Sequence, residues 1–398
     1  MKIQLNRSTL IRLALVSSLI AHLATMSARL RADNGNCGGA SITTVPFTDV
    51  AASIFFCDIA EAFFSGLTNG TTATTYSPGQ NVPREQMAAF ITRTLDQSLV
   101  RGSRRAALNQ WWTPQAPINI KLTPVGHGPF GIVSDGADLW IANYDSNTVS
   151  RVRASDGSYL GTWTGVTQPA AILVAEGLVF VTGEDGTLFD LDPAKPPGAL
   201  VPQTQVGTMP RAMTFDGHSF WTANHSGSIS IVKFGPLTVT TITTGFSHPY
   251  GIMFDGSNIW VSDLGDLKLK KLDSSGNVLL SVDGCGGNLL AFDGTNIWAP
   301  GPYASPNSVF VVRAKGGLSG TVLAELTGNG ISNPVGAAFD GERILVTNQD
   351  DSVSLWKGSD LTPLGAYATG AGTTPTGACS DGINFWIALY TGSAIARF

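Results

Sequence analysis

Charge is scarce in this 398-residue chain: Asp, Glu, Lys and Arg make up 13% of it, about half of the ~25% usual in soluble domains. It holds only five histidines and four cysteines. There is no Cys-x-x-Cys pair, no Gly-x-Ser-x-Gly elbow and no glycine-rich loop leading from a strand into a helix. Zinc-ribbon, serine-hydrolase and nucleotide-phosphate chemistry therefore have no motif to rest on. Basic residues are sparse over residues 117–398, where 14 Lys and Arg face 23 Asp and Glu. That balance opposes a nucleic-acid or anionic-membrane surface. Long apolar runs are missing as well. The longest, Leu13 to Leu23, follows Lys2, Arg7 and Arg12, is interrupted by His22, and leads into the small residues Ala24, Thr25, Ser27 and Ala28. It is too short to span a bilayer and has the layout of a secretory signal. Residues 1–28 are accordingly expected to be a signal peptide, with an uncleaved anchor as the other reading. The mature protein is expected to be secreted, at the cell surface or periplasmic, without a transmembrane span.

What the chain has in quantity is glycine, 46 residues of it, nine of them in Asp-Gly pairs. Phe254-Asp255-Gly256-Ser257-Asn258-Ile259-Trp260 has near-copies whose Asp-Gly pairs begin at Asp135, Asp216, Asp255, Asp293, Asp340 and Asp381, with a degenerate Glu176-Gly177. Seven units at steps of 38 to 47 residues match the period of a four-stranded propeller blade. Six residues before the acid stands Pro129, Pro169, Pro210, Pro249, Pro334 or Pro375, and only the fifth unit departs, with Gly287. Proline starts a strand but cannot donate inside a ladder. Asp-Gly supplies the positive φ of a tight hairpin. The second strand carries Trp140, Phe180, Trp221, Trp260, Trp298 or Trp386, with Leu345 in unit six, large side chains able to fill the space between neighbouring sheets. The fold expected is mainly all-β: a seven-bladed β-propeller over 117–398, its seventh blade completed by the segment 118–122. Such a seam removes exposed sheet edges.

The first hundred residues are different. Residues 29–46 form an N-terminal segment and 98–116 a linker with Arg101, Arg104, Arg105, Trp111 and Trp112. Between them, Ile59 to Phe64 reads as a short helix, and Pro83 opens a second with Met87, Phe90, Ile91 and Leu95 on one face. Cys37 and Cys57 either form a disulfide or remain two free thiols, and Cys285 and Cys379 are read as buried free thiols. Phe47-Thr48-Asp49-Val50, Gly66-Leu67-Thr68-Asn69-Gly70, Tyr76-Ser77-Pro78 and Arg84-Glu85-Gln86-Met87-Ala88-Ala89-Phe90-Ile91 resemble a surface-layer homology (SLH) module spanning 47–97. That resemblance implies a small α-helical domain and contact with cell-wall polysaccharide. In this family a Thr-Arg-Ala-Glu-like motif makes that contact. Here the stretch is Pro83-Arg84-Glu85-Gln86, in one copy, so Arg84 is the residue carried over as a wall contact.

In a propeller of this topology, the loop entering each first strand and the loop between second and third strands share one face, at the channel mouth. The first set contributes Phe130, Arg211, His248, Tyr250, Asn288, Asn333 and Thr376. The second contributes Asn143, Tyr144, Asp145, Glu184, Asp185, Asn224, His225, Asp263, Asp266, Tyr303, Asp350, Asp351 and Tyr390. These positions vary where the frame repeats, as loops that carry function do. Tyr144, Asp145, Arg211, His225, His248, Tyr250, Asn288, Tyr303 and Tyr390 are the expected ligand-binding set. Asp263, Asp266, Asp350 and Asp351 are candidates for a hard cation such as calcium, with solvated acidic loops as the alternative. The propeller resembles the extracellular YVTN and NHL propellers and the streptogramin (virginiamycin B) lyase. The last resemblance implies a metal-assisted lyase or hydrolase in which His225 or His248, beside Asp263, acts as a base. Its repeats commonly read Trp-Phe-Thr-Glu, whereas these read Trp140-Ile141-Ala142-Asn143 and Trp221-Thr222-Ala223-Asn224. The leading expectation is therefore a cell-envelope-associated or secreted binding protein for a glycan, peptide or protein partner, without a catalytic set.

Overall fold

The computed structural model describes residues 33–37, 40–64, 68, 70–83, 87, 121–234, 237–301 and 308–398. The chain divides into two compact units at Arg101 and Gly102. In the first, strands Asp33–Cys37 and Ala40–Val45 form an antiparallel hairpin, followed by helix Phe56–Phe64. Val45, Phe47, Val50, Phe56, Ile59 and Ala60 make its small core. Two stretches singled out in the sequence meet here. The Asp49 carboxylate accepts the backbone N–H groups of Tyr76 at 2.9 Å and Ser77 at 2.8 Å, and Thr48 N–H donates to the Thr74 carbonyl at 2.9 Å. Cys57 is disulfide-bonded. Phe56–Phe64 is the one helix of this unit whose bounds lie among the described residues; of the expected second helix, Met87 is helical and donates its N–H to the Pro83 carbonyl at 3.0 Å. Arg84, the rest of the expected second helix, the expected signal peptide and the linker tryptophans lie outside the described residues.

The second unit is a seven-bladed β-propeller: seven sheets, each of four antiparallel strands. Six blades are built from consecutive strands. The seventh combines Pro375–Ser380, Phe385–Leu389 and Ala394–Arg397 with Lys121–Pro124 from the start of the unit. Lys121 pairs with Arg397 and Pro124 with Ala394, so the two ends of the propeller share one sheet. The seam expected over 118–122 is made by 121–124, and 118–120 lie outside the described residues. Blade five departs from the others, as its Gly287 departs from proline: its first strand is only Ala291–Phe292.

The repeated turn does more than reverse the chain. Gly256 adopts φ 89°, a left-handed conformation that glycine takes without steric cost. Asp255 Oδ1 accepts the N–H groups of Ser257 and Asn258, both at 2.8 Å, while Oδ2 accepts the indole Nε1–H of Trp260 at 2.8 Å. The same acid-to-indole bond joins Trp140 to Asp135, Trp221 to Asp216, Trp298 to Asp293 and Trp386 to Asp381, at 2.7–2.8 Å. One carboxylate thus shapes the hairpin and satisfies the polar atom of a fully buried tryptophan, which would otherwise be costly to bury.

Seven apolar clusters fill the seven spaces between adjacent blades. Within them each second-strand aromatic shares a cluster with a residue of the next blade's second strand: Trp140 with Val179, Trp221 with Ile259, Trp260 with Ile297, Trp298 with Ile344 and Trp386 with Leu139. Two spaces are built the other way round. Phe180 meets Phe220, with ring centroids 4.1 Å apart, and Leu345 shares its cluster with Phe385. Where the first partner shrinks, the second grows. Such volume compensation keeps interiors at native packing density. Burying a tryptophan of roughly 200 Å² at ~25 cal/mol per Å² contributes on the order of 5 kcal/mol before entropy is counted. These interfaces are the main source of stability for the ring.

The innermost strands close tightly. A side chain at Gly131 would meet the Ala170 carbonyl oxygen at 2.2 Å, and one at Gly251 the Asn288 carbonyl at 2.3 Å. Hydroxyls bridge the same seam: Ser262 donates to the Asn288 carbonyl at 2.7 Å and Thr376 to the Pro129 carbonyl at 3.1 Å. Cys285 is a free thiol buried between blades four and five, and Cys379 a free, partly buried thiol. Burial pushes the Cys285 thiol up, to about 11.

Candidate functional site at the channel mouth

A repeated backbone bond positions the mouth. A residue one or two positions past the second strand donates its N–H to the loop entering the first strand: Tyr144 to Gly128, Glu184 to Thr167, His225 to Met209, Leu264 to His248, Gln349 to Asn333 and Tyr390 to Thr374, at 2.7–3.1 Å. Six blades, all but the fifth, therefore present one side chain from that turn and one from the position after the proline at a fixed place around the channel. Eight of the nine residues lining a cavity of about 420 Å³ occupy these two positions: Phe130, Tyr144, Arg211, His225, Tyr250, Gln349, Thr376 and Tyr390; Thr374 is the ninth. They come from five blades.

The aromatic part of the wall is packed. Phe130 lies edge-on to Tyr250 with centroids 6.5 Å apart, and His225 meets Tyr250 at 5.6 Å and His248 at 5.1 Å. The charged part is paired. Arg211 donates to both oxygens of Glu184, at 2.9 and 3.0 Å, a bidentate geometry suited to guanidinium and carboxylate, and its guanidinium lies 5.8 Å from the Tyr144 ring centre. The Tyr390 hydroxyl donates to Asp145 at 2.9 Å. Burial first, and then this bond to an acid, push the phenol up to about 12.

His225 is the polar outlier. Its Nδ1 is buried with no hydrogen-bond partner among the described residues. Burial, then the nearby Arg211 and His248, hold its pKa below the ordinary histidine value, so the ring is neutral at neutral pH. His248 is exposed, and its Nδ1 lies 3.2 Å from Ser247 Oγ.

The expected site residues thus separate. Tyr144, Arg211, His225, Tyr250 and Tyr390 line the cavity, with Asp145 and His248 against it. Asn288 is buried instead, donating to the Pro334 carbonyl at 2.9 Å, because blade five has lost the proline register. Tyr303 lies outside the described residues. Gln349 and Thr374 were missed. Gln349 was legible, since it stands nine residues after Asp340 as Tyr144 does after Asp135.

The four candidate cation ligands stand in two separate blades, four and six, each with protein partners. Asp263 is fully buried and accepts N–H groups of Ser247 and His248 at 2.8 Å and the Lys270 ammonium at 2.7 Å. Its bond to His248 runs to the backbone, not the ring. Asp266 lies 2.5 Å from the same Lys270 Nζ. Asp350 accepts from Ser332 Oγ and Asn333 Nδ2. Asp351 caps the backbone of Gly372, Thr373 and Thr374 at 2.6–2.9 Å. Among the described residues, no group of three or more His, Cys, Asp or Glu side chains is placed to hold a metal ion. No helix of the described residues is long and apolar enough to cross a membrane.

No protein-family model and no curated protein matches the chain. Solved structures match its fold. The chain is similar to virginiamycin B lyase from Staphylococcus aureus, at 16% identity and TM-score 0.58, over 70% of this chain and 99% of that one. A streptogramin B lyase structure aligns at 15% identity and TM-score 0.59, over 70% and 96%. The WD40 propeller domain of Doa1 aligns at 14% identity and TM-score 0.58, over 70% and 96%. The lyases and the WD40 domain align about equally well, and identities this low establish what all three have in common: the propeller fold.

Proposed function

We propose that the protein is a binding protein of the cell envelope or of the secreted fraction, which presents its channel mouth to a glycan, peptide or protein partner. The observation that carries this reading is the cavity itself, on which side chains from five blades converge while the frame around it repeats. A concave, largely aromatic pocket with a few polar groups is the usual form of a ligand site. The envelope address is supported by the signal-like residues 1–28 and by the SLH-like stretch 47–97, with Arg84 as its proposed wall contact. The test is sedimentation of the full chain with isolated envelope material and with its purified polysaccharide. Co-sedimentation that Tyr250→Ala abolishes is the expected result, and indifference to both materials would remove the envelope role.

The second reading is a metal-assisted lyase or hydrolase. What favours it is the contact between His225 and His248, at 5.1 Å, in a fold that a streptogramin B lyase also adopts. On this reading either histidine is the base. Any turnover found by screening would then vanish when both are substituted, and undiminished turnover would exclude them.

A further inference from the structure

We infer that the mouth cavity takes a neutral pyranose sugar, the end unit of a glycan; the inference rests on the binding reading above and specifies its ligand. Three features of the wall select the class. First, its charges are already used internally: Arg211 is held by both oxygens of Glu184, and Asp145 by the Tyr390 hydroxyl. An anionic or cationic ligand would find no free counter-charge and would have to separate a partly buried ion pair to obtain one. Second, Phe130 and Tyr250 offer apolar ring surface on blades one and four, which suits a ligand with a flat C–H face. Third, hydrogen-bonding groups without protein partners stand at other points of the same wall. His225 Nδ1 is buried and unpartnered, and a ring nitrogen of this kind donates or accepts a hydrogen bond according to its tautomer. Buried polar atoms of this kind are rarely left unsatisfied. Gln349, across the ring on blade six, offers an amide that both donates and accepts. A ligand that answers all three is neutral, has an apolar face, and carries groups at its edge that donate and accept. The hydroxyl-fringed pyranose ring meets each condition. The cavity of about 420 Å³ falls in the range of small-molecule sites and has room for a sugar ring with bridging waters.

The test is saturation-transfer NMR and calorimetry on the full chain. The probes are methyl glycosides of glucose, galactose, mannose and N-acetylglucosamine, the corresponding uronic acids, and a mixture of uncharged tripeptides. Binding of at least one neutral glycoside is expected, weakened at least tenfold by Tyr250→Ala and by His225→Phe and largely retained by Tyr250→Phe, with unchanged melting temperatures. Binding of only uronic acids or only peptides, still weakened by Tyr250→Ala, would overturn the sugar inference and leave the binding reading standing. If no probe of any class binds, or if Tyr250→Ala and His225→Phe leave binding intact, the sugar inference fails, and in the second case the mouth is not the binding site.

Discussion

The two faces of the propeller are built on opposite plans. On the face of the Asp-Gly turns, five blades repeat one arrangement: an acid closes a hairpin and accepts an indole N–H from a buried tryptophan. On the mouth face, the residue fixed by an equally regular backbone bond is Tyr144, Glu184, His225, Leu264, Gln349 or Tyr390. The backbone repeats on both faces, but the side chains repeat only where they hold the ring together. Selection for packing explains the first face. On the second, varied side chains on a fixed frame are what recognition of a ligand without sevenfold symmetry requires.

The largest effect expected belongs to the turn face. Trp260→Ala leaves a cavity between blades four and five and deprives Asp255 of its indole donor, so it should cost about 3–5 kcal/mol in denaturant unfolding. Next comes a test from the mouth side that breaks the simple division, because Asp263 ends its strand at the mouth yet is structural. Removing it with Asp263→Ala leaves Lys270 short of its closest buried partner, a loss of roughly 3 kcal/mol. Its pH signature has a defined sign. Burial alone would raise the Asp263 pKa, but Lys270 and the Ser247 and His248 amides outweigh it and hold the value below the ordinary 3.8. The stabilisation is therefore complete above that value and lost as pH falls through the lower folded one. Acid unfolding of Asp263→Asn should lack this part of the decline.

A smaller effect sharpens the packing rule. Leu345→Trp should overfill the space against Phe385 and cost about 1–3 kcal/mol. Adding Phe385→Ile, which restores the pairing used by Trp298 and Ile344, should recover most of that loss in a double-mutant cycle. The smallest effect is at the mouth: Gln349→Ala should lie within about 0.5 kcal/mol of the parent.

Most of the frame was legible because its cause is local. Proline, Asp-Gly and tryptophan recur at fixed offsets, and each has a backbone or volume reason to do so. The seam required only that sheet edges be closed, yet its strand lies at 121–124 because pairing with 394–397 sets the register. The indole bond was not legible, since Asp255 and Trp260 meet only across a formed hairpin. Nor was the exchange of size between Leu345 and Phe385, which needs the blade-to-blade facing pairs. At the mouth, loop membership identified Tyr144, Arg211, His225, Tyr250 and Tyr390, but ranking by side-chain chemistry chose Asp350 and Asp351 over their neighbour Gln349. Position in the repeat was the better guide: the acids bond to the loops beside them, while Gln349 reaches the cavity.

The central claim is that the aromatic side chains lining the mouth cavity are freed from holding the ring together. Parallel urea unfolding of Trp260→Ala and Tyr250→Ala tests it most directly, since both remove one large aromatic side chain from the same blade. The account predicts a midpoint far below the parent for Trp260→Ala and one close to the parent for Tyr250→Ala. Equal losses in the two variants would contradict it, for the mouth aromatics would then be part of the frame.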